Sequence, residues 1–114
     1  MNKEKLIENI KTILNSAELV YKTKDYTSST ILYFKTIFSI LDLILLQSSG
    51  ITPKDHTERF RMLENSHKEL YEFIDKYFKI YRDTYSISID KETCEDIRKN
   101  VKRIIKEYNI QIWN

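Results

Sequence analysis

The sequence predicts an all-α protein, folded as one up-and-down bundle of four or five helices. Apolar residues recur at intervals of three and four along most of the chain, which is the spacing of one helix face. The chain of 114 residues contains one glycine and one proline, whereas a β-sandwich or barrel draws on both residue types for its many turns. At this length we expect a single domain, residues 1–114, around one core.

Composition places the chain among globular proteins, with 41% hydrophobic and 32% charged residues. The net charge of +2 creates no overall field that would favour a nucleic acid or an anionic membrane as partner. Cys94 is the single cysteine, and its spacing from His56 and His67 matches no zinc pattern. We therefore expect a cytoplasmic protein with no metal or other cofactor.

The first two predicted helices are the most regular in apolar spacing. The first runs from Lys3 to Lys22 with apolar residues on one face. The second runs from about Tyr26 to Ser48, with Asp25 as its N-terminal cap and Gly50 as a left-handed residue at its end. This second helix is apolar on nearly all sides, so we expect other helices to cover it on several sides.

A membrane span is the alternative for this central helix. Its strongly hydrophobic stretch, Ile31 to Leu46, has 16 residues, whereas a span needs about 20. The stretch also contains Lys35 and Asp42, whose charges are costly in the middle of a membrane. We therefore favour a buried helix in a protein without a membrane partner.

Three shorter helices are predicted in the rest of the chain. The segment Thr52 to Asp55 resembles a helix start in which Thr caps and Pro occupies the first turn, and the helix then continues to about Asn65. A fourth helix follows from about Ser66 to Tyr81. The residues from Arg82 to Ile89 have no second strand with which to pair, so they are interpreted as a loop. The last helix begins after a cap at Asp90.

The sequence contains none of the common catalytic motifs. One glycine cannot form a phosphate-binding glycine-rich loop, and neither a nucleophile elbow nor a zinc-binding HExxH pair occurs. The most unusual polar feature is the stripe of Lys35, Ser39 and Asp42 on one face of the apolar central helix. Because a buried charge is costly unless it is paired, this face must meet solvent, a subunit or a ligand.

Several short features occur in an order that resembles the HEPN domain family, in particular its small stand-alone members found beside minimal nucleotidyltransferases. The resemblance covers about residues 5–108. It includes the aromatic pair in the central helix, the histidine in the loop after the glycine and the Arg-polar step at the end of the fourth helix. In chain order the features are Ala17 to Tyr21, Asp25-Tyr26, Ser28-Ser29, Tyr33-Phe34, Gly50, Asp55-His56-Thr57 and Tyr81-Arg82-Asp83.

The resemblance implies an RNA-associated function without complete catalytic machinery. Active HEPN members are metal-independent ribonucleases in which an Arg, the polar residue after it and a His a few positions later meet across a dimer interface. Arg82 and Asp83 match the start of that motif, but residues 87–89 supply no His. The resemblance therefore implies a non-catalytic or weakly active binding domain. It would form a homodimer and either bind nucleotide or RNA or pair with a minimal nucleotidyltransferase in a toxin-antitoxin-like module.

The expected binding groove combines the motif residues with the polar stripe. In related modules a tyrosine near the motif is where the partner attaches a nucleotide, which makes Tyr85 a weak candidate for that role. No residue is assigned a catalytic role. The candidate residues for nucleotide, RNA or partner binding are Arg82, Asp83, Tyr85, Lys35, Asp42 and His56.

Two other functions stay open at this point. The first is a ribonuclease toxin in which His56 or His67 reaches Arg82 in space, with His as general base and Arg stabilising the negative charge on phosphorus. The second is a structural helical adaptor. Its apolar tail, which contains Ile110, Ile112 and Trp113, would pack against the body of the bundle or against another protein.

Overall fold

The chain folds into five α-helices, and the computed structural model describes residues 2–112. The predicted all-helical class is confirmed for these residues, which include no strand. The predicted contact of Trp113 lies outside the described residues. The helices are α1 (Lys3–Lys22), α2 (Tyr26–Ser49), α3 (His56–Ser66), α4 (Lys68–Asp83) and α5 (Lys91–Glu107).

Helix α2 is the centre of the bundle and contacts all four other helices. Both of its predicted ends are confirmed. The Asp25 side chain accepts a hydrogen bond from the Ser28 backbone N–H, and Gly50 ends the helix with a φ of 80°. The buried side chains of α2 point to several sides of the helix and include Tyr33, Phe34, Ile37, Ile40, Leu41, Leu43 and Leu45.

The hydropathy of α2 does not by itself indicate a membrane. The helix is long and apolar enough to cross one, with a mean hydropathy of 1.7 in its most apolar window, but 67% of that window is buried inside the bundle. The central helix of a water-soluble bundle has the same properties. The expected cytoplasmic location therefore stays a prediction.

The start of α3 differs from the prediction. Asp55, not Thr52, is the cap, because its side chain accepts a hydrogen bond from the Glu58 backbone N–H at 2.8 Å while Glu58 reaches back to the Lys54 N–H. This reciprocal Asp-x-x-Glu arrangement resembles a capping box and satisfies two unpaired N–H groups, whereas Thr52 lies too early in the chain. Pro53 consequently precedes the helix instead of occupying its first turn.

The connection from α2 to α3 doubles back along α2. The ring of His56, the first residue of α3, packs edge-on against Phe38 with 4.6 Å between ring centroids. Phe38 lies in the middle of α2, about 18 Å along the helix from Gly50. The return of the chain brings the start of α3 against the polar stripe of α2.

The fourth helix extends two residues beyond its predicted end, so Arg82 and Asp83 form its last turn instead of the start of a loop. The loop that follows is fixed to the first turn of α2 by a hydrogen bond of 2.8 Å from the Ile89 backbone N–H to Thr27 Oγ1. Asp90 caps α5 by accepting from the Thr93 N–H, as predicted.

Glu18 connects α1, α2 and α5 through one carboxylate. Its oxygens accept hydrogen bonds from the Arg98 guanidinium at 2.8 and 3.2 Å and from the Tyr33 hydroxyl, and Lys102 Nζ lies 3.1 Å away. Burial alone would raise the pKa of Glu18. The hydrogen bonds from Arg98, Tyr33 and Lys102 outweigh that effect and lower the pKa to about 2.

The assignment of the α3 cap predicts a difference between two variants. Asp55→Ala removes the side-chain acceptor and should lower the free energy of unfolding by about 1 kcal/mol. Thr52→Ala should change it by less than about 0.5 kcal/mol. Urea denaturation followed by circular dichroism measures both values. A larger loss of unfolding free energy in Thr52→Ala than in Asp55→Ala would instead identify Thr52 as the cap.

The Glu18 network predicts how stability depends on pH. Glu18 has a pKa of about 2 in the folded state and 4.5 as its ordinary value. Its stabilisation is therefore complete above 4.5 and is lost as the pH falls towards 2. We expect the melting temperature of the wild type to fall more between about pH 5 and about pH 2 than that of Glu18→Gln. Parallel melting curves for the two proteins would contradict this role.

Candidate functional site

A small cleft opens where the polar stripe of α2 meets α1, α3 and α4. Its volume is about 260 Å³. The cleft lies between the polar stripe of α2 and the first turn of α3. The cleft is lined by Ile13, Lys35, Phe38, Ser39, Asp42, His56, Arg59 and Tyr81.

An ion pair between Arg59 and Asp42 forms the floor of this cleft. Arg59 Nε donates to Asp42 Oδ1 at 2.7 Å, and its NH2 group donates to Oδ2 at 3.0 Å. The side chains of Arg59 and Asp42 are only 10% and 18% exposed. The guanidinium also lies 5.1 Å from the centre of the Phe38 ring. Two parallel hydrogen bonds fix the orientation of both side chains.

The same guanidinium fixes the protonation of His56. Arg59 NH1 lies 2.7 Å from His56 Nδ1. Because arginine can only donate, Nδ1 must be the acceptor, and the imidazole proton is on Nε2. Burial, followed by the positive charges of Arg59 and Lys35, holds the pKa of His56 below its ordinary value of 6.5, although Asp42 and Asp55 oppose this effect. His56 is therefore a neutral imidazole at pH 7.

The Nε2–H group of His56 is the unpaired end of the imidazole. It has no hydrogen-bond partner among residues 2–112, and the only buried side-chain polar atom without a partner in that part of the chain is Thr30 Oγ1. His56 Nε2 is therefore not fully buried. Lys35, which is exposed, lines the same cleft.

Aromatic side chains form one wall of the cleft. The His56 ring centroid lies 5.4 Å from that of Phe78 and 5.9 Å from that of Tyr81, at steep interplanar angles. The Tyr81 hydroxyl lies 3.1 Å from the Tyr85 hydroxyl. Burial and this hydrogen bond raise the pKa of Tyr81 to about 12. Tyr85 is 78% exposed and does not itself line the cleft.

The structure brings together three of the predicted site residues and separates the others from them. Lys35, Asp42 and His56 line one cleft, whereas Tyr85 does not line it and contacts only the hydroxyl of the cleft residue Tyr81. Neither Arg82, which is exposed, nor Asp83 lines this cleft. The cleft is therefore formed mainly by α2 and the start of α3, and α4 contributes Tyr81 from its last turn.

Neither histidine forms the predicted pair with Arg82 within the described part of the chain. His56 is hydrogen-bonded to Arg59 instead. His67 lies at the junction of α3 and α4, where its Nδ1 is 2.8 Å from Ser66 Oγ. The arginine that meets a histidine in this protein is thus Arg59, three residues after His56.

Sequence reasoning missed Arg59, although two signals pointed to it. Asp42 on an apolar helix needs a cation, and residues three apart on a helix, such as His56 and Arg59, lie on one face. The predicted helix start at Thr52 obscured the second signal, because it gave no reason to place His56 against α2. The Asp-x-x-Glu pattern at Asp55 would have placed the helix start correctly.

A larger groove of about 560 Å³ lies between α1 and the end of α5. Glu18 and Lys102 line it, but they are bonded to each other. Its other lining residues are the apolar Leu14, Ile105 and Ile110 and the polar Lys106, Asn109 and Gln111. We take the cleft at His56 as the candidate site because it contains three residues that the sequence analysis singled out, Lys35, Asp42 and His56.

Comparison with protein-family models, with curated proteins and with solved structures found no match. The resemblance to the HEPN family therefore rests on the residues quoted above and stays a prediction.

The chemistry of the cleft suits an anionic oxygen. Lys35 offers an ammonium group and His56 an N–H donor, while the Arg59 guanidinium is already engaged by Asp42. Within residues 2–112 no three His, Cys, Asp or Glu side chains are grouped as metal ligands. A phosphate or carboxylate is the ligand type that these donors would hold.

The contacts of His56 predict its behaviour in NMR spectra. Long-range ¹H–¹⁵N correlations should show the proton on Nε2 at neutral pH, with His67→Asn used to assign the two imidazoles. Arg59→Met should raise the pKa of His56, because it removes a cation and leaves the Asp42 carboxylate. Asp42→Asn should lower it. A proton on Nδ1 in the wild type would contradict the hydrogen-bond assignment.

Proposed function

We propose that this protein is a HEPN-like, non-catalytic binding domain whose cleft at His56 holds a phosphate group of a nucleotide or RNA. The observation that carries the proposal is the neutral imidazole that Arg59 orients in a cleft that the exposed Lys35 also lines. The exposed ring of Tyr85, whose hydroxyl contacts the cleft residue Tyr81, supports the proposal, because aromatic rings near cations can stack on bases.

The geometry weighs against the ribonuclease alternative. A general base must accept a proton from the ribose 2′-hydroxyl. In His56 the Nδ1 lone pair already accepts from Arg59, and Nε2 already carries a proton. Catalysis at this site would first require the Arg59 contact to break. Binding without cleavage is therefore the favoured activity of the cleft.

The partners implied by the resemblance are part of the same proposal. Homodimerisation and pairing with a minimal nucleotidyltransferase follow from the HEPN resemblance alone. Tyr85 is exposed enough to accept a nucleotide from such a partner. Its hydroxyl bonds to Tyr81, however, so modification would break a contact in the wall of the cleft.

A matched pair of cation variants tests the position of the site. Lys35→Gln should weaken binding of a fluorescein-labelled single-stranded RNA about tenfold at low salt, because it removes the exposed cation of the cleft. Arg82→Gln removes an exposed cation outside the cleft and should leave the affinity nearly unchanged. Filter binding at two salt concentrations measures both effects, and gel analysis of the same samples should show intact RNA.

The opposite pattern would overturn the site assignment. If Arg82→Gln abolished binding and Lys35→Gln did not, the site would lie at the end of α4, as the family motif implies. If the wild type bound neither RNA nor nucleotide, the proposed function itself would fail.

A further inference from the structure

The groove between α1 and the end of α5 is a second concave surface, which shares no lining residue with the cleft at His56. Its volume of about 560 Å³ lies within the range of small-molecule sites. Its apolar lining residues are Leu14, Ile105 and Ile110, which all belong to the buried core. The groove therefore reaches the hydrophobic core from the surface, and an apolar group placed there leaves water.

Two lysines of α5 line the same groove. Lys102 and Lys106 are four residues apart, which places them on one face of the helix, and both are exposed. Lys106 has no ion-pair partner within residues 2–112. Glu18 is the only carboxylate that lines the groove within the described part of the chain. The charge that an anionic ligand meets therefore depends on how Glu18 is neutralised.

Glu18 does not depend on Lys102 for its neutralisation. Its carboxylate accepts two hydrogen bonds from the Arg98 guanidinium and one from the Tyr33 hydroxyl. Lys102 Nζ lies 3.1 Å from the same carboxylate, and the lysine side chain is 51% exposed. An ion pair of this exposure contributes little free energy. Lys102 can therefore turn to an anion in the groove while Glu18 keeps three hydrogen bonds and one opposite charge.

The groove also lacks the features that a nucleotide base would need. Within the described residues no aromatic ring lines it, so it offers no stacking surface of the kind that bases use. Because Arg98 cancels the charge of Glu18, Lys102 and Lys106 give the groove a positive potential beside an apolar lining. This combination matches a ligand with one anionic end and a hydrocarbon body.

We propose that this groove binds a medium-chain fatty acid, which is a carboxylate on a hydrocarbon chain. The chain would lie against Leu14, Ile105 and Ile110, and the carboxylate would lie between the two lysine ammonium groups. Lysines four residues apart on a helix have their Cβ atoms about 5–6 Å apart, so both can reach the two oxygens of one carboxylate. The inference does not rest on the proposed function, because the two sites share no residue.

Three matched ligands test the class of ligand. Octanoate, octanamide and butyrate would be titrated into the full chain at about pH 7.5, where a carboxylate is ionised, and the methyl signals of Ile105 and Ile110 would be followed by NMR. Octanamide has the shape of octanoate without its charge and should bind about fivefold more weakly. Butyrate keeps the charge but has a shorter hydrocarbon chain, and it should bind at least about tenfold more weakly.

Two lysine variants connect the affinity to the groove. Lys106→Gln removes an ammonium group that lines the groove and should weaken octanoate binding about threefold while leaving octanamide binding unchanged. Lys99→Gln makes the same change at an exposed lysine of α5 that does not line the groove, and it should alter neither affinity. Both variants should melt at the wild-type temperature, since neither lysine has an ion-pair partner within residues 2–112.

Several outcomes would overturn this inference. Equal affinities for octanoate and octanamide, or an octanoate affinity that Lys106→Gln does not change, would exclude recognition of the carboxylate. Shifts confined to methyl groups outside the groove would place the ligand elsewhere. Octanoate binding that appears only in Trp113→Ala would identify the chain's own tail as the occupant, and binding only at concentrations where sedimentation shows monomer would identify a second copy. None of these results bears on RNA binding at His56, so the two proposals fail separately.

Discussion

The site depends on the need to neutralise Asp42. This carboxylate lies on a helix that is otherwise packed into the core, and an unpaired charge in such a place is costly. Arg59 supplies the opposite charge with two hydrogen bonds. To do so, α3 must begin beside the middle of α2, and the chain between them must turn back. The position of His56, the aromatic contacts around it and the cleft itself follow from that requirement.

The helices were largely predictable because their signals are local. The spacing of apolar residues, the caps at Asp25 and Asp90 and the left-handed Gly50 depend on residues close together in the chain. The error at the start of α3 arose because the Thr-Pro pair was taken as the helix start and the Asp-x-x-Glu pattern three residues later was not considered. The structure follows the pair that satisfies two backbone N–H groups instead of one.

The site was predictable only in part because it combines residues that are far apart in sequence. The polar stripe indicated that Lys35 and Asp42 needed a partner on one face of α2, but periodicity does not say which helix would cover it. The Arg-Asp pair at the end of α4 matches the start of the HEPN motif, yet neither Arg82 nor Asp83 lines the cleft. Arg59 was missed because its role depends on the ion pair with Asp42, which lies 17 residues away in the sequence.

The arrangement of helix contacts divides the bundle into two units with different expected stability. Helices α3 and α4 pack on each other and on α2, and α4 meets α5 where the Arg103 guanidinium lies 5.5 Å from the centre of the Phe73 ring. Helices α1 and α5 are joined to α2 and to one another by the Glu18 network. The α3–α4 hairpin is thus the unit that can open with the least loss of buried contacts. The cleft lies across the boundary, with Lys35 on one unit and His56 on the other. A ligand bound to both would hold the hairpin closed and slow amide hydrogen exchange throughout α3 and α4.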